Sequence, residues 1–130
     1  MEMLARTLAI VVFLVAPLSS GRAGLDPVTS APQLGNLQLV VMEADGCIYC
    51  NIFRRDVLPS YETSERGKDM PVRFVDVNDV PKTGIELQSS IDILPTFVVV
   101  KDNREIGRIP GYMGREDFFH SINYLLSSAL

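Results

Sequence analysis

The sequence predicts an α/β fold in which a mixed four-stranded sheet is flanked by helices, in the order β-α-β-α-β-β-α. Three observations predict it. Short apolar runs at 37–42, 72–77 and 96–101 have the length of buried strands, and the last is strongly β-branched. The stretches between them carry apolar residues at three- and four-residue steps, the period of a helix face. The third run meets Asp102-Asn103 and returns as Glu105–Ile109, the pattern of an antiparallel hairpin. Helical crossovers between the first three strands imply that those strands run parallel.

The 130-residue chain begins with a segment of another kind. Leu8–Val15 is an unbroken apolar run after a weakly positive stretch, followed by Pro17, Ser19, Ser20 and Gly21-Arg22-Ala23. This is the layout of a secretory signal peptide, with cleavage expected after Gly21 or Ala23. The run falls short of the roughly 20 apolar residues that cross a bilayer; an uncleaved anchor, holding the domain on the periplasmic face, is the alternative reading. Loss of Glu2, Arg6 and Arg22 leaves the mature chain one unit more acidic than the formal net charge of −4. Export delivers it to an oxidising compartment, where disulfides persist. Residues 1–23 are thus expected to be signal peptide, 24–36 an extended leader marked by Pro27 and Pro32, and 37–130 the domain.

Leu37–Met42 reads as the first strand, broken by Asp45-Gly46. From Cys47 onward, Cys50, Phe53, Val57 and Leu58 mark one helix face, and Pro59 ends or kinks that helix. Ser60–Met70 is polar, with a further helical turn before a loop. Val72–Val77 alternates as the second strand. Asn78-Asp79 with Pro81 starts a helix whose inward face holds Val80, Leu87 and Ile91. Leu94-Pro95 stops any helix, and Thr96–Lys101 is the third strand. Gly111 and Gly114 bracket a loop. Phe118, Ile122, Leu125 and Leu126 then form the stripe of a terminal helix, with Glu116 and Asp117 suitably placed at its N-terminus.

Composition removes several function classes. A formal charge of −4 with no basic run offers no footprint for nucleic acid. Two cysteines and one histidine cannot supply the four ligands of a closed zinc site within one chain. The chemistry is carried instead by Cys47-Ile48-Tyr49-Cys50. Two thiols three residues apart meet in the first turn of a helix and can close a small ring. Cys47 falls at the helix N-terminus, where free N–H groups and the macrodipole favour the thiolate, the attacking form. Cys50 lies on the Phe53/Val57 face and is expected to be the more buried. Cys47 would therefore attack a substrate disulfide and Cys50 resolve the mixed disulfide. A permanent structural disulfide and half of a metal site shared across a dimer remain open as alternatives; c-type haem attachment would need His where Asn51 stands.

Four features together resemble the thioredoxin-fold thiol-disulfide oxidoreductases. They are the Cys47–Cys50 motif opening a helix after a strand, Val72–Asn78, Ile91-Asp-Ile-Leu-Pro-Thr-Phe-Val-Val-Val100, and Lys101–Gly107 followed by Gly111. The resemblance spans about residues 37–127. It implies a thioredoxin-like fold, a cis Leu94–Pro95 peptide, and Pro95 beside the two sulfurs as the third catalytic residue. It implies substrate contacts from Gly46, Ile48, Tyr49, Leu94, Thr96, Gly111 and Tyr112. No cofactor and no metal are required. It further implies protein disulfides and a membrane thiol-disulfide electron donor as partners, no nucleic acid, and a monomer expected to act in the periplasm, more as reductant than as oxidant.

The chain departs from typical thioredoxins. Gly46 stands where they have Trp before the first cysteine. Val41 stands where they have a buried acid, with Glu43 the nearest carboxylate. Ile-Tyr replaces Gly-Pro between the cysteines, and the usual N-terminal strand and helix are reduced to residues 24–36. Tyr49 resembles the residue found in bacterial periplasmic disulfide isomerases, whose dimerisation domain is absent here. The chain is also similar to the small exported thioredoxins that accompany bacterial sulfur-oxidation systems. A non-enzymatic redox switch and a copper(I) metallochaperone are the competing functions. His120 and Arg54-Arg55 read as helix-surface residues.

Overall fold

The structure, a computed structural model, describes residues 36–129; the expected signal peptide and nearly all of the expected leader lie outside them. Four strands, β1 (Leu37–Glu43), β2 (Val72–Asp76), β3 (Thr96–Lys101) and β4 (Arg104–Pro110), form one sheet in the order β2-β1-β3-β4. The helices are α1 (Ile48–Asp56), α2 (Leu58–Glu62), α3 (Glu65–Asp69), α4 (Val80–Thr83) and α5 (Arg115–Ala129).

Both faces of the sheet are covered, so its central strands are apolar throughout rather than alternating. Leu37, Leu39 and Val41 of β1, with Phe97 and Val99 of β3, pack against Phe53, Val57 and Tyr61 and against Phe118, Ile122 and Leu126 of α5. Rings dominate this layer: Phe97 and Phe118 lie 4.7 and 5.1 Å from Phe53, centroid to centroid. Val40, Met42, Val98 and Val100 face the other way, onto Val75 and Ile85.

The direction of β3 corrects the sequence reading. β1 and β2 are parallel, but β3 runs antiparallel to β1, with Met42 opposite Thr96 and Leu37 opposite Lys101. The cause is the connection after β2. Its helix, α4, has only four residues and ends at Gly84 in the left-handed region. The chain then reaches the far end of the sheet, where the Glu86 N–H bonds to the Asn103 carbonyl (2.8 Å). From there it returns without regular structure to Pro95. Two traverses instead of one reverse the strand that follows. Val80, Leu87 and Ile91 do pack inward on the second core, but from this descending and returning path rather than from one helix face.

The remaining elements follow local rules. Pro59 sits in the first turn of α2, where its missing N–H costs nothing, so the helix bends and restarts after Val57. The polar stretch beyond it holds a second short helix, α3, capped by the Ser64 hydroxyl, which accepts the Gly67 N–H at 3.1 Å. Asp102 and Asn103 both have positive φ, as a two-residue hairpin turn between right-twisted strands requires.

Candidate active site

β1 delivers the chain to one end of the sheet, and a tight turn redirects it into α1. Gly46 has φ of +77°, a region open to glycine without strain. The Cys47 N–H bonds back to the Ala44 carbonyl at 3.2 Å, which closes the turn. Cys47 is the N-cap of α1, and its Sγ accepts the Cys50 N–H at 3.2 Å. Sulfur therefore takes the place that a Ser or Asp oxygen commonly holds at a helix start. The first turn of α1 carries no acidic residue to offset the positive end of the helix dipole.

Cys47 and Cys50 are joined as a disulfide, with an S–S distance of 2.06 Å and a Cα–Cα separation of 5.3 Å. The two are not equivalent. Cys50 is 2% exposed, one turn before the wholly buried Phe53, whereas Cys47 is half-buried at the surface. A polar recess of about 230 Å³ adjoins the pair, lined by residues including Asp45, Asn51, Glu43 and Arg54. Within it the Glu43 carboxylate takes two bonds from Arg54 Nη2, at 2.6 and 2.8 Å, while the guanidinium lies 3.4 Å above the Phe74 ring. Arg55 is paired in turn with Asp56. Both arginines are therefore matched by carboxylates, and Glu43 is committed to Arg54.

The start of β3 reaches the same end of the sheet, because Thr96 is opposite Met42. The Leu94–Pro95 peptide is cis, and Pro95 is buried. Its carbonyl accepts the Gly111 N–H at 2.8 Å, which ties the 111–114 loop to the head of β3. Gly111 itself has φ of +80° and lies against Ile93.

The other residues expected at the site divide in two. Gly46, Ile48 and Tyr49 are open to solvent, the last two 70% and 58% exposed. Leu94 is half-buried on the second core. Thr96 is buried, and its hydroxyl donates to the Ile93 carbonyl at 2.6 Å. The Tyr112 ring turns inward to Phe53, 6.1 Å between centroids, and burial together with the Asp56 carboxylate pushes its hydroxyl pKa up. His120 is exposed beside an apolar groove of about 760 Å³ between β4 and α5, which neither cysteine lines.

Two residues here escaped the sequence reading: Ile93 (53% exposed) and Met113 (82% exposed). With Ile48 and Tyr49 they make up four of the five large apolar side chains exposed among the described residues. Scattered exposed hydrophobics are ordinary, but these four lie on the first turn of α1 and on the two segments flanking the start and end of the sheet's β3–β4 hairpin. The available signal was position: Ile93 lies two residues before Pro95, and Met113 lies between Gly111 and Gly114.

Known proteins share this fold. Residues 28–126 match the thioredoxin-like domain family. The periplasmic thioredoxin SoxS from Paracoccus pantotrophus, in its reduced form, is 31% identical with a TM-score of 0.68, over 72% of this chain and 99% of that one. Fasciola hepatica thioredoxin is 23% identical (TM-score 0.53), over 71% of this chain and 83% of its own. Mitochondrial thioredoxin 3 from Saccharomyces cerevisiae, in its oxidised form, is 21% identical (TM-score 0.51), over 70% and 80%. The latter two likenesses concern the fold alone. No curated protein sequence matches. No helix among the described residues is long and apolar enough to cross a membrane.

Proposed function

The chain belongs to the thioredoxin-like family and carries its thiol-disulfide oxidoreductase pair, and from that premise we propose that it is an exported reductant of protein disulfides in the periplasm. The observation that carries the assignment of roles is the asymmetry of the two sulfurs. In the disulfide form, Cys47 is the more exposed sulfur, at a helix N-terminus with a backbone N–H directed at it, and reduction leaves it in that setting. Each of these factors stabilises the thiolate relative to the thiol.

The Cys47 thiolate attacks one sulfur of a substrate disulfide. A Cys47–substrate bond forms, and the other substrate sulfur leaves as thiolate and takes up a proton. Cys50, deprotonated, then attacks Cys47 Sγ. The Cys47–Cys50 disulfide closes, and the second substrate sulfur leaves and is protonated. Two electrons have passed to the substrate, and the protein is left in the disulfide form. A membrane thiol-disulfide donor must then return two electrons and two protons. The exposed Ile48, Tyr49, Ile93 and Met113 supply an apolar rim on which a protein substrate rests. The leader-like sequence of residues 1–23 and the 31% identity to a periplasmic thioredoxin support export.

The test is the reduction potential of the pair, equilibrated against a glutathione or dithiothreitol series. A value at or below about −250 mV supports a reductant, and one near −120 mV, the strong-oxidant end of the scale, makes the protein a disulfide donor instead. A pair that resists reduction far below that range is a structural disulfide, and the catalytic reading fails.

A further inference from the structure

The twelve residues from Gly84 to Pro95 connect α4 to β3 with only a single bridge to the sheet, Glu86 to Arg104. Backbone groups outside a ladder need other partners. Three consecutive residues find theirs in one ion pair on β4. Glu105 is 3% exposed. Its Oε1 accepts Arg108 Nε at 2.6 Å, and its Oε2 accepts Arg108 Nη2, also at 2.6 Å. The Gln88 N–H reaches Oε2 at 2.8 Å, and Gln88 Nε2 donates to the Glu105 carbonyl at 3.2 Å. The outer edge of the Arg108 guanidinium points the other way, donating to the Ser89 carbonyl at 3.0 Å and the Ser90 carbonyl at 2.9 Å.

A second fastening lies a few residues on, where Thr96 holds the Ile93 carbonyl and Gly111 holds that of Pro95. Between the two, Ile91 and Leu94 turn into the core while Asp92 and Ile93 face solvent. A buried ion pair is a poor source of net stability, because desolvation offsets most of its attraction. What a planar guanidinium fork supplies is direction: it fixes a carboxylate on one edge and two carbonyls on the other.

We propose that Glu105 and Arg108 are positioning residues for substrate recognition, setting the path of 88–90 so that Ile93 and the head of β3 meet a protein disulfide in register with Cys47. The inference rests on the oxidoreductase reading above. Neither residue touches the sulfurs, so the pair acts on docking and not on the exchange step. A small disulfide, which needs only the cysteines, does not depend on it.

Arg108→Lys keeps a cation beside Glu105 but loses the fork to Ser89 and Ser90. Glu105→Gln keeps the shape and removes the charge. Each is compared with the unaltered protein on insulin and on a small aromatic disulfide, with the reduction potential measured in parallel. KM for insulin is expected to rise about fivefold or more, while the rate on the small disulfide and kcat stay within about twofold, a loss confined to binding. Amide hydrogen exchange of Gln88, whose N–H the Glu105 carboxylate holds, should quicken while that of β1 does not. An unchanged insulin KM in folded Arg108→Lys overturns the proposal. Equal losses on both substrates, or a shifted potential, also overturn it, since they point to a general structural role. An unaltered protein inert on both disulfides refutes the oxidoreductase reading itself, and the proposal falls with it.

Discussion

Replacing Gly67 by alanine sets two effects of opposite sign against each other. Gly67 lies inside α3, and alanine in a helix is favoured over glycine by about 1 kcal/mol. Propensity alone therefore predicts a more stable protein. The surroundings predict otherwise. A Cβ built on Gly67 would lie 2.1 Å from the Tyr61 carbonyl oxygen and 2.9 Å from Glu62 Cα, where ordinary contact begins at 3.4 Å. Both obstacles are backbone, so no rotamer change relieves them. Helix α3 would have to move more than 1 Å from α2, and two fastenings resist: the Ser64 cap and the bond from the Tyr61 hydroxyl to the Met70 carbonyl (2.9 Å). Overpacking of this kind costs about 1–3 kcal/mol, and a lost cap about 1 kcal/mol more. After the propensity gain, a net loss of about 1–3 kcal/mol remains, from the same magnitudes. For a domain of this size that lowers Tm by roughly 5–20 °C. Thermal and urea unfolding of the disulfide form, followed by circular dichroism, measures it. Lys68→Ala on the exposed side of the same helix is the control, expected within about 0.5 kcal/mol of the parent. A Gly67→Ala protein as stable as the parent would refute the packing argument.

Four further outcomes are expected. Tyr61→Phe should destabilise by about 1–3 kcal/mol in urea titrations, because the buried Met70 carbonyl loses its hydroxyl donor. Burial pushes the Glu105 carboxyl up, but bonds from Arg108 and Gln88 outweigh it and hold the pKa below the ordinary glutamate range. Its contribution to stability is therefore complete above that range and lost as pH falls through the depressed value, so urea midpoints taken from neutral to acid pH should flatten in Glu105→Gln. Gly46→Ala meets no steric obstacle, so its cost should be the backbone term alone, about 1–2 kcal/mol by urea unfolding. Ile93→Ser should leave the unfolding midpoint within about 0.5 kcal/mol of the parent yet raise KM for insulin; unaltered kinetics would remove Ile93 from the contact surface.

The parts of this protein that could be read from sequence are those governed by local rules. The cysteine spacing, the breaking of β1 at Asp45-Gly46, the Asp102-Asn103 turn and the apolar stripe of α5 each follow from a few neighbouring residues. The direction of β3 does not. A helix start at Asn78-Asp79 looks the same whether four residues follow or fourteen, and Leu87 and Ile91 have helical spacing by coincidence with a path that descends and returns. Glu105 is opaque for a related reason. In a hairpin strand, a glutamate three residues from an arginine looks like a solvated surface pair. Only the fold brings residues 88–90 across it and turns it into a buried anchor. Likewise Arg54-Arg55 reads as one charged patch, yet the two side chains part, one to Glu43 and Phe74 and the other to Asp56.

The reversal of β3 gives the domain a polarity with practical use. Cys47, Pro95 and Gly111 gather where β1 ends and β3 begins, while Asn36 bonds to Asp102 at the hairpin tip, the full length of β1 away. Seven residues of strand put about 20 Å between those poles. The last turn of α5 also descends from the sulfur end, with Ala129 sharing a groove wall with Ile106. A handle joined ahead of Asn36 or behind Ala129 therefore attaches at the blind pole. Immobilised through either end, the domain would present its disulfide outward, like a brush with the bristles free.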